Sequence, residues 1–298
     1  MLIGLMFWCG IALAGPRKDA AQTGFEVVEQ GASLDFDFRW RDKSGGPDKV
    51  AFSLPSAAMA ADREEVTWLK RRDMNEAVVK AVREWGRTVK GVKISAEVKN
   101  GGIAIGASGA GARAALKQAG NVRDAAMDEW LAENDFTRMK SGDLSFDHAS
   151  LAAKYAPQLA PVANALAEGT ESDRAFVARA LEFVQSIPYE ARKKNGGDPG
   201  YRRPVSLLER DRGDCDSKAV LFLAVVRARL PSVPLAVVYV PGHALTGVGL
   251  PEGKDDRTFK VDGTEFIYAE PVGPALFKLG EPAKENRKAG KKGEVRVL

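Results

Sequence analysis

The sequence predicts an α+β protein, and three patterns carry that reading. Residues 34–41 alternate, with Leu34, Phe36, Phe38 and Trp40 set against Asp35, Asp37, Arg39 and Arg41. That two-residue period is the signature of a half-buried strand. Residues 176–187 place Phe176, Val177, Ala180, Leu181, Val184 and Ile187 at helical spacing, as a core-facing helix requires. Asn100-Gly101 and Asp262-Gly263 each sit between strand-like runs. Such pairs favour the left-handed backbone of a tight hairpin, which joins antiparallel strands.

The totals fit a globular chain of about two domains. Of 298 residues, 44 are basic and 40 acidic, for a net charge of +4. That balance is too mild to argue for nucleic acid, so no nucleic-acid partner is expected. Residues 1–14 are apolar and carry no charged side chain, and Ala12-Leu13-Ala14 precedes Gly15. A run this short is uncomfortable as a bilayer span. The small-x-small ending suits signal peptidase, although a basic leader is missing. The expectation is an exported chain, periplasmic or secreted, with an uncleaved N-terminal anchor as the alternative and no other integral membrane domain. Phe7-Trp8 before Cys9 does not fit a lipidation site.

After a basic linker, strands are expected over 24–29, 34–41 and 50–54, with Gly45-Gly46-Pro47 as a turn. Residues 62–87 read as a helix, with Val78, Ala81, Val82 and Trp85 in one stripe and Gly86 as its stop. Strands over 92–98 and 103–105 flank Asn100-Gly101. The Gly-rich run 106–111 lacks dinucleotide spacing, and no Gly-Lys-Ser/Thr follows, so it reads as a strand-to-helix turn. A helical pattern over 112–134 is broken at Gly120-Asn121. His148 precedes a Pro-interrupted helical stretch over 149–168 and reads as a helix-start or surface histidine. Thr170-Glu171-Ser172-Asp173 caps the next helix, which Pro188-Tyr189 ends. A polar loop over 193–200 could act as a lid.

Chemistry concentrates at Gly213-Asp214-Cys215-Asp216-Ser217-Lys218. Asp214 is a good N-cap, which puts Cys215 in the first turn of a helix. Unpaired N–H groups and the helix dipole there favour a thiolate. Residues 219–226 are apolar on every side, so the helix is a buried, rigid mount. Leu230-Pro231 ends it. Strands follow over 235–240 and 243–250, with His243 at the start of the second. Strands over 258–261 and 265–270 come next, and from Lys278 on the chain reads as a frayed tail. With residues 1–14 removed, Cys215 is the only thiol, which excludes an internal disulfide and a Cys-x-x-Cys centre. One cysteine and two scattered histidines lack zinc-ligand spacing. No metal and no cofactor are expected.

A thiol nucleophile needs a base to take its proton, and a base is improved by an acid that fixes its tautomer. Cys215, His243 and Glu270 supply those types in order, with Asp262 as the runner-up for the acid. An inert buried cysteine is the plain alternative. The order and context resemble the transglutaminase-like superfamily, including its bacterial cysteine-peptidase branch. The resemblance rests on Phe183-Val184-Gln185-Ser186-Ile187-Pro188-Tyr189, Pro204-Val205-Ser206-Leu207-Leu208 and Gly213-Asp214-Cys215-Asp216-Ser217-Lys218. It continues through Gly242-His243-Ala244 and Ile267-Tyr268-Ala269-Glu270-Pro271. It implies a papain-like α+β core, a helix bearing Cys215 on an antiparallel sheet, Cys215 as nucleophile and His243 as base. Many relatives carry Asp where this chain has Glu270, and Thr where Pro271-Val272 follows. Ala244-Leu245 stands where an aromatic residue often follows the histidine. The oxyanion donor stays open between the N–H of Cys215 and a side chain among residues 201–203.

The expected organisation is a signal peptide or anchor over 1–14 and an α+β module over 15–140. A helical connector over 141–169, a catalytic core over 170–275 and a basic flexible tail over 276–298 complete it. The expected function is cysteine hydrolysis of peptide or amide bonds through a thioester, on a protein or peptide substrate. A non-catalytic binding module and a cross-linking acyltransferase are the alternatives.

Overall fold

The computed structural model describes residues 21–57, 69–190, 201–273 and 275–298. The expected signal segment, the first part of the helix over 62–87 and the loop over 193–200 lie outside these residues, apart from the helix's portion from residue 69. The protein is α+β, 39% helix and 30% strand, and every pairing between named strands is antiparallel. No helix among the described residues is long and apolar enough to cross a membrane. The described residues form two compact units, one from residue 69 to 147 and one combining 21–57 with those from 148 on. The boundary expected at 140 therefore does not separate the first three strands from the core. Their aromatic face packs on a helix more than a hundred residues later in the chain, a contact that composition does not reveal.

Those strands are β1 (Gln22–Gln30), β2 (Ser33–Arg41) and β3 (Pro47–Pro55), a sheet in that order. Leu34, Phe36, Phe38 and Trp40 of β2 are all buried, as their alternation requires.

The first unit holds α1 (Arg71–Gly86), the hairpin β4 (Val92–Lys99) and β5 (Gly102–Gly109), α2 (Ala112–Glu133), and the short strands β6 (Phe136–Arg138) and β7 (Leu144–Phe146). Asn100 and Gly101 turn the hairpin with φ of 52° and 74°, the left-handed pair expected there. Val79 and Val82 of α1 pack on Ala96 and Ala119. Met74 and Val78 pack on Leu131 and Phe136. Two expectations change here. The Gly-rich run is mostly strand, since Gly106 pairs with Ser95 and Gly109 with Val92. And α2 runs unbroken through Gly120-Asn121. A mid-helix glycine costs only about 1 kcal/mol, which the burial of Ala115, Ala119 and Leu131 offsets.

The second unit continues with α3 (His148–Tyr155), α4 (Ala160–Ala167), α5 (Asp173–Ser186), α6 (Pro204–Arg210) and α7 (Cys215–Arg229). Then come β8 (Leu235–Val240), β9 (His243–Val248), β10 (Thr258–Val261), β11 (Thr264–Ala269), α8 (Ala289–Lys292) and β12 (Glu294–Val297). Ser172 caps α5 by accepting from the Ala175 N–H. Phe183 of α5 meets Phe38 edge-on at 5.1 Å between centroids and lies 5.7 Å from Trp40. The Arg179 guanidinium grips Asp48 at 2.9 and 3.0 Å and also donates to the carbonyls of Lys49, Leu166 and Glu168. It thus ties β3 to both ends of the α4–α5 connection.

The centre of this unit is α7. Every residue from Ser217 to Val226 is buried, because α3, α4, α5, α6 and the β8–β9 pair all pack on it. An all-round apolar helix is stable only in such a place. The five-stranded sheet runs β10-β11-β9-β8-β12.

Its last strand corrects the expectation of a frayed tail. Residues 294–297 pair with 236–239 of β8, and Val295 packs on the sheet core. Gly293 approaches the Tyr239 carbonyl, and Gly290 lies against Phe259 so closely that neither position has room for a Cβ. The basic composition masked a strand whose partner lies far away in sequence. Deleting residues 293–298 removes four strand pairs. At about 1 kcal/mol of net stability per hydrogen bond, urea denaturation should show a loss of several kcal/mol.

Candidate active site

The Cys215 turn is fixed by its own side chains. Asp214 has the extended backbone of an N-cap. Its Oδ1 accepts from the Ser217 N–H at 2.9 Å and from the Ser217 hydroxyl at 2.6 Å. The Ser217 oxygen in turn accepts from the Arg202 N–H at 2.6 Å. Gly213 bridges Tyr189, and a Cβ there would fall 2.6 Å from Leu207 Cδ1 and 3.0 Å from Ser217 Cβ, so a side chain would displace Leu207. Cys215 is thereby held at the first helical position, 2% exposed. Its N–H lies in the first turn of the helix.

The imidazole and the acid come from the sheet. His243 opens β9, 6% exposed, and Glu270 follows β11, 4% exposed. Pairing of β9 with β11 matches Thr246 to Ala269 and brings the two side chains together. His243 Nε2 lies 3.2 Å from Glu270 Oε1. Glu270 also accepts from Asn286 Nδ2 at 2.8 Å on Oε1 and from the Ala283 N–H at 2.7 Å on Oε2. With Nε2–H donating to Glu270, the tautomer that contact favours, Nδ1 is the nitrogen left to act as a base. The structure thus brings Glu270 to His243. It does not bring Asp262 there. Asp262 sits exposed at the β10–β11 turn with φ of 46°, at the opposite end of β11 from Glu270.

The helix α7 that carries Cys215 packs on β8 and β9. At about 1.5 Å per helical residue and 3.3 Å per strand residue, α7 and β8 are of nearly equal length, on the order of 20 Å. Residues 230–234 connect them, so β8 runs back toward the start of α7. Val240 at its end pairs with His243. A chain of hydrogen bonds joins the two parts. Lys218, one turn beyond Cys215, donates Nζ to the carbonyls of Ile187 and Gln185. Gln185 Nε2 donates to the Glu270 carbonyl at 2.7 Å and to that of Phe277 at 3.2 Å. Lys218 is fully buried, and burial pushes its pKa down to about 7, with Asp211 opposing. Asp211, which accepts from Gln22 at 2.6 Å, is pushed up to about 6 by burial, with Gln22, Arg212 and Lys218 opposing.

Gly273 passes so close to the Gln185 carbonyl that a Cβ would overlap it. Gly273→Ala is expected to cost at least about 3 kcal/mol, the upper range for overpacking against backbone, and chemical denaturation would register it.

Sequence reasoning missed several contributors. The helix α6 has no counterpart among the expected elements, although Pro204 at its start is a known helix opener. Lys218 and Gln185 stood in apolar helical runs, and an isolated polar residue in such a run was the available signal. Asn286 and Ala283 lie in the segment read as frayed. His148 does open a helix, but it is fully buried rather than at the surface. Its Nε2 is 3.0 Å from Asp216 Oδ1, and its Nδ1 is 3.1 Å from the Tyr239 hydroxyl. Among residues 201–203, Arg202 is engaged with Glu190 at 2.8 and 2.9 Å. Among the described residues, no group of three His, Cys, Asp or Glu could hold a metal ion.

No family model matches the chain, and neither the curated proteins nor the solved structures contain a match to it.

Proposed function

We propose that the chain is a cysteine hydrolase of the transglutaminase-like type, cleaving peptide or amide bonds through a thioester. The single observation that carries this reading is the buried His243–Glu270 contact at 3.2 Å, which the Lys218–Gln185 hydrogen bonds link to the helix that bears Cys215. A thiol on a capped helix start, packed on an antiparallel sheet that carries the imidazole, also agrees with the papain-like core that the resemblance implies.

In this reading His243 Nδ1 takes the thiol proton, and Cys215 Sγ attacks the carbonyl carbon. The carbonyl electron pair moves to oxygen, near the Cys215 N–H. Collapse breaks the C–N bond, and the amine leaves with the proton from His243. Water then attacks the thioester with His243 as base, the C–S bond breaks, and acid and free thiol result. Glu270 holds the ring in the required tautomer and steadies the imidazolium. A lysine amine in place of water would give an isopeptide, and hydrolysis is preferred because water is always at hand.

The test is incubation of the full chain with a peptide library digested from whole-cell protein, in the presence of monodansylcadaverine. New peptide termini, reduced by about a thousandfold or more in Cys215→Ala, are the expected result. Amine incorporation without cleavage would turn the reading to acyl transfer. If neither appears and hydroxylamine releases no acyl group from Cys215, the chain is a binding module.

A further inference from the structure

The buried pair of His148 and Asp216 lies immediately beside the proposed nucleophile and has no part in the chemistry above. His148 is fully buried, whereas the Asp216 side chain is 18% exposed. Asp216 is the next residue after Cys215, in the first turn of α7. On its other side the imidazole meets Tyr239 through both the hydroxyl and an edge-on ring contact of 5.1 Å at 79°. Tyr239 belongs to β8, and its register partner is Ala244, the neighbour of His243. One ring on α3 therefore touches the turn that carries Cys215 and the strand pair that carries His243.

We infer that His148 is a positioning residue that sets the separation between Cys215 and His243, a role that rests on the Cys215–His243 reading. The ring suits it. With Nε2–H donating to Asp216, Nδ1 accepts from the Tyr239 hydroxyl, so one neutral tautomer satisfies both partners. A rigid plane bridging two mounts holds a fixed distance, which a flexible side chain would not. Misplacement of a reacting pair by about 1 Å can cost a hundredfold in rate, so a spacer of this kind has consequences far larger than its two hydrogen bonds.

The prediction concerns how readily Cys215 ionises. An imidazole at the right distance stabilises the thiolate, and loosening the spacer weakens that effect. The charged groups Asp214 and Lys218 of the turn are unchanged in the variants, as is Asp216, which faces His148. The experiment is a double-mutant cycle on the full chain, with iodoacetamide alkylation read at the Cys215 peptide by mass across pH. The variants are His148→Leu, His243→Ala and the pair, with Tyr239→Phe as a variant that removes one hydroxyl and little packing.

We expect His148→Leu to slow alkylation at about pH 6 by about tenfold, as a one-unit rise in thiol pKa requires. It should have little further effect once His243 is absent, because coupled residues are non-additive. Tyr239→Phe should shift the profile in the same direction by less, and His148→Gln, which can donate and accept across the same gap, should restore part of the rate. Equal effects of His148→Leu with and without His243 would overturn the spacer role while leaving the active site standing. No effect of His243→Ala would instead overturn the active-site reading itself. Should His148→Leu fail to fold, Tyr239→Phe decides, and an unshifted profile there counts against the spacer.

Discussion

Glu270→Ala is expected to destabilise the second unit by about 3–5 kcal/mol, the range for breaking one side of a buried polar or charged cluster. Three donors converge on this carboxylate: His243 Nε2, Asn286 Nδ2 and the Ala283 N–H. Removing it leaves buried donors without an acceptor, each at about 1–3 kcal/mol. It also removes two ties of the C-terminal segment to the sheet, leaving those of the Gly280 and Gly290 N–H groups to Tyr268. Glu270→Gln should lose less, since the amide oxygen can still accept. Asp262→Ala, at the exposed turn, is the control and should cost only about 1–2 kcal/mol, the strain of its positive φ once the Asp side chain is gone. Urea denaturation of the three variants checks the order, and equal midpoints for Glu270→Ala and Asp262→Ala would contradict it.

The second large effect is a pH dependence centred on Lys218. Its pKa in the folded protein is about 7, against an ordinary value of 10.5, because it is buried. Between those values the unfolded chain binds more protons than the folded one, so stability rises with pH across that window. Below pH 7 both states hold the proton and the cost of burying the charge is fully present. Above it the neutral amine still has two N–H groups for the carbonyls of Gln185 and Ile187. Asp211 works in the opposite sense. Its folded pKa of about 6 lies above the ordinary 3.8, so its contribution falls as pH rises between those values. Stability relative to Lys218→Met should therefore climb from about pH 7 toward 10, by at most about 5 kcal/mol at 1.36 kcal/mol per pKa unit. Urea midpoints of both proteins at several pH values measure the difference. Profiles that run parallel above pH 7 would show that Lys218 keeps its proton.

Local signals carried much of the fold. The alternation of residues 34–41 is β2 with its aromatic face buried, and the Asp214 cap starts α7 where its side-chain chemistry demands. Both hairpin dipeptides turn with positive φ, Asp262 and Gly263 at 46° and 86°. The His243–Glu270 approach was also legible, because two adjacent hairpins leave few registers. What stayed hidden depends on distant partners. The strand β12 reads as charged tail until β8 offers it an edge. The first three strands read as part of the N-terminal module until Phe183 is placed beneath Phe38. His148 reads as a helix-start or surface residue, and its burial stays hidden because its partners, Asp216 and Tyr239, lie 68 and 91 positions away. A buried polar network is specified by tertiary geometry, and local propensity says little about it.

The central claim is that His243 ionises Cys215. The most direct measurement is the alkylation rate of Cys215, followed by peptide mass so that Cys9 is counted separately, from about pH 5 to about pH 9 in the parent and in His243→Ala. The account predicts a parent profile whose midpoint falls below the ordinary thiol value of about 8.5, and a return to that value without the imidazole. Two superimposable profiles, both centred near about 8.5, would contradict it.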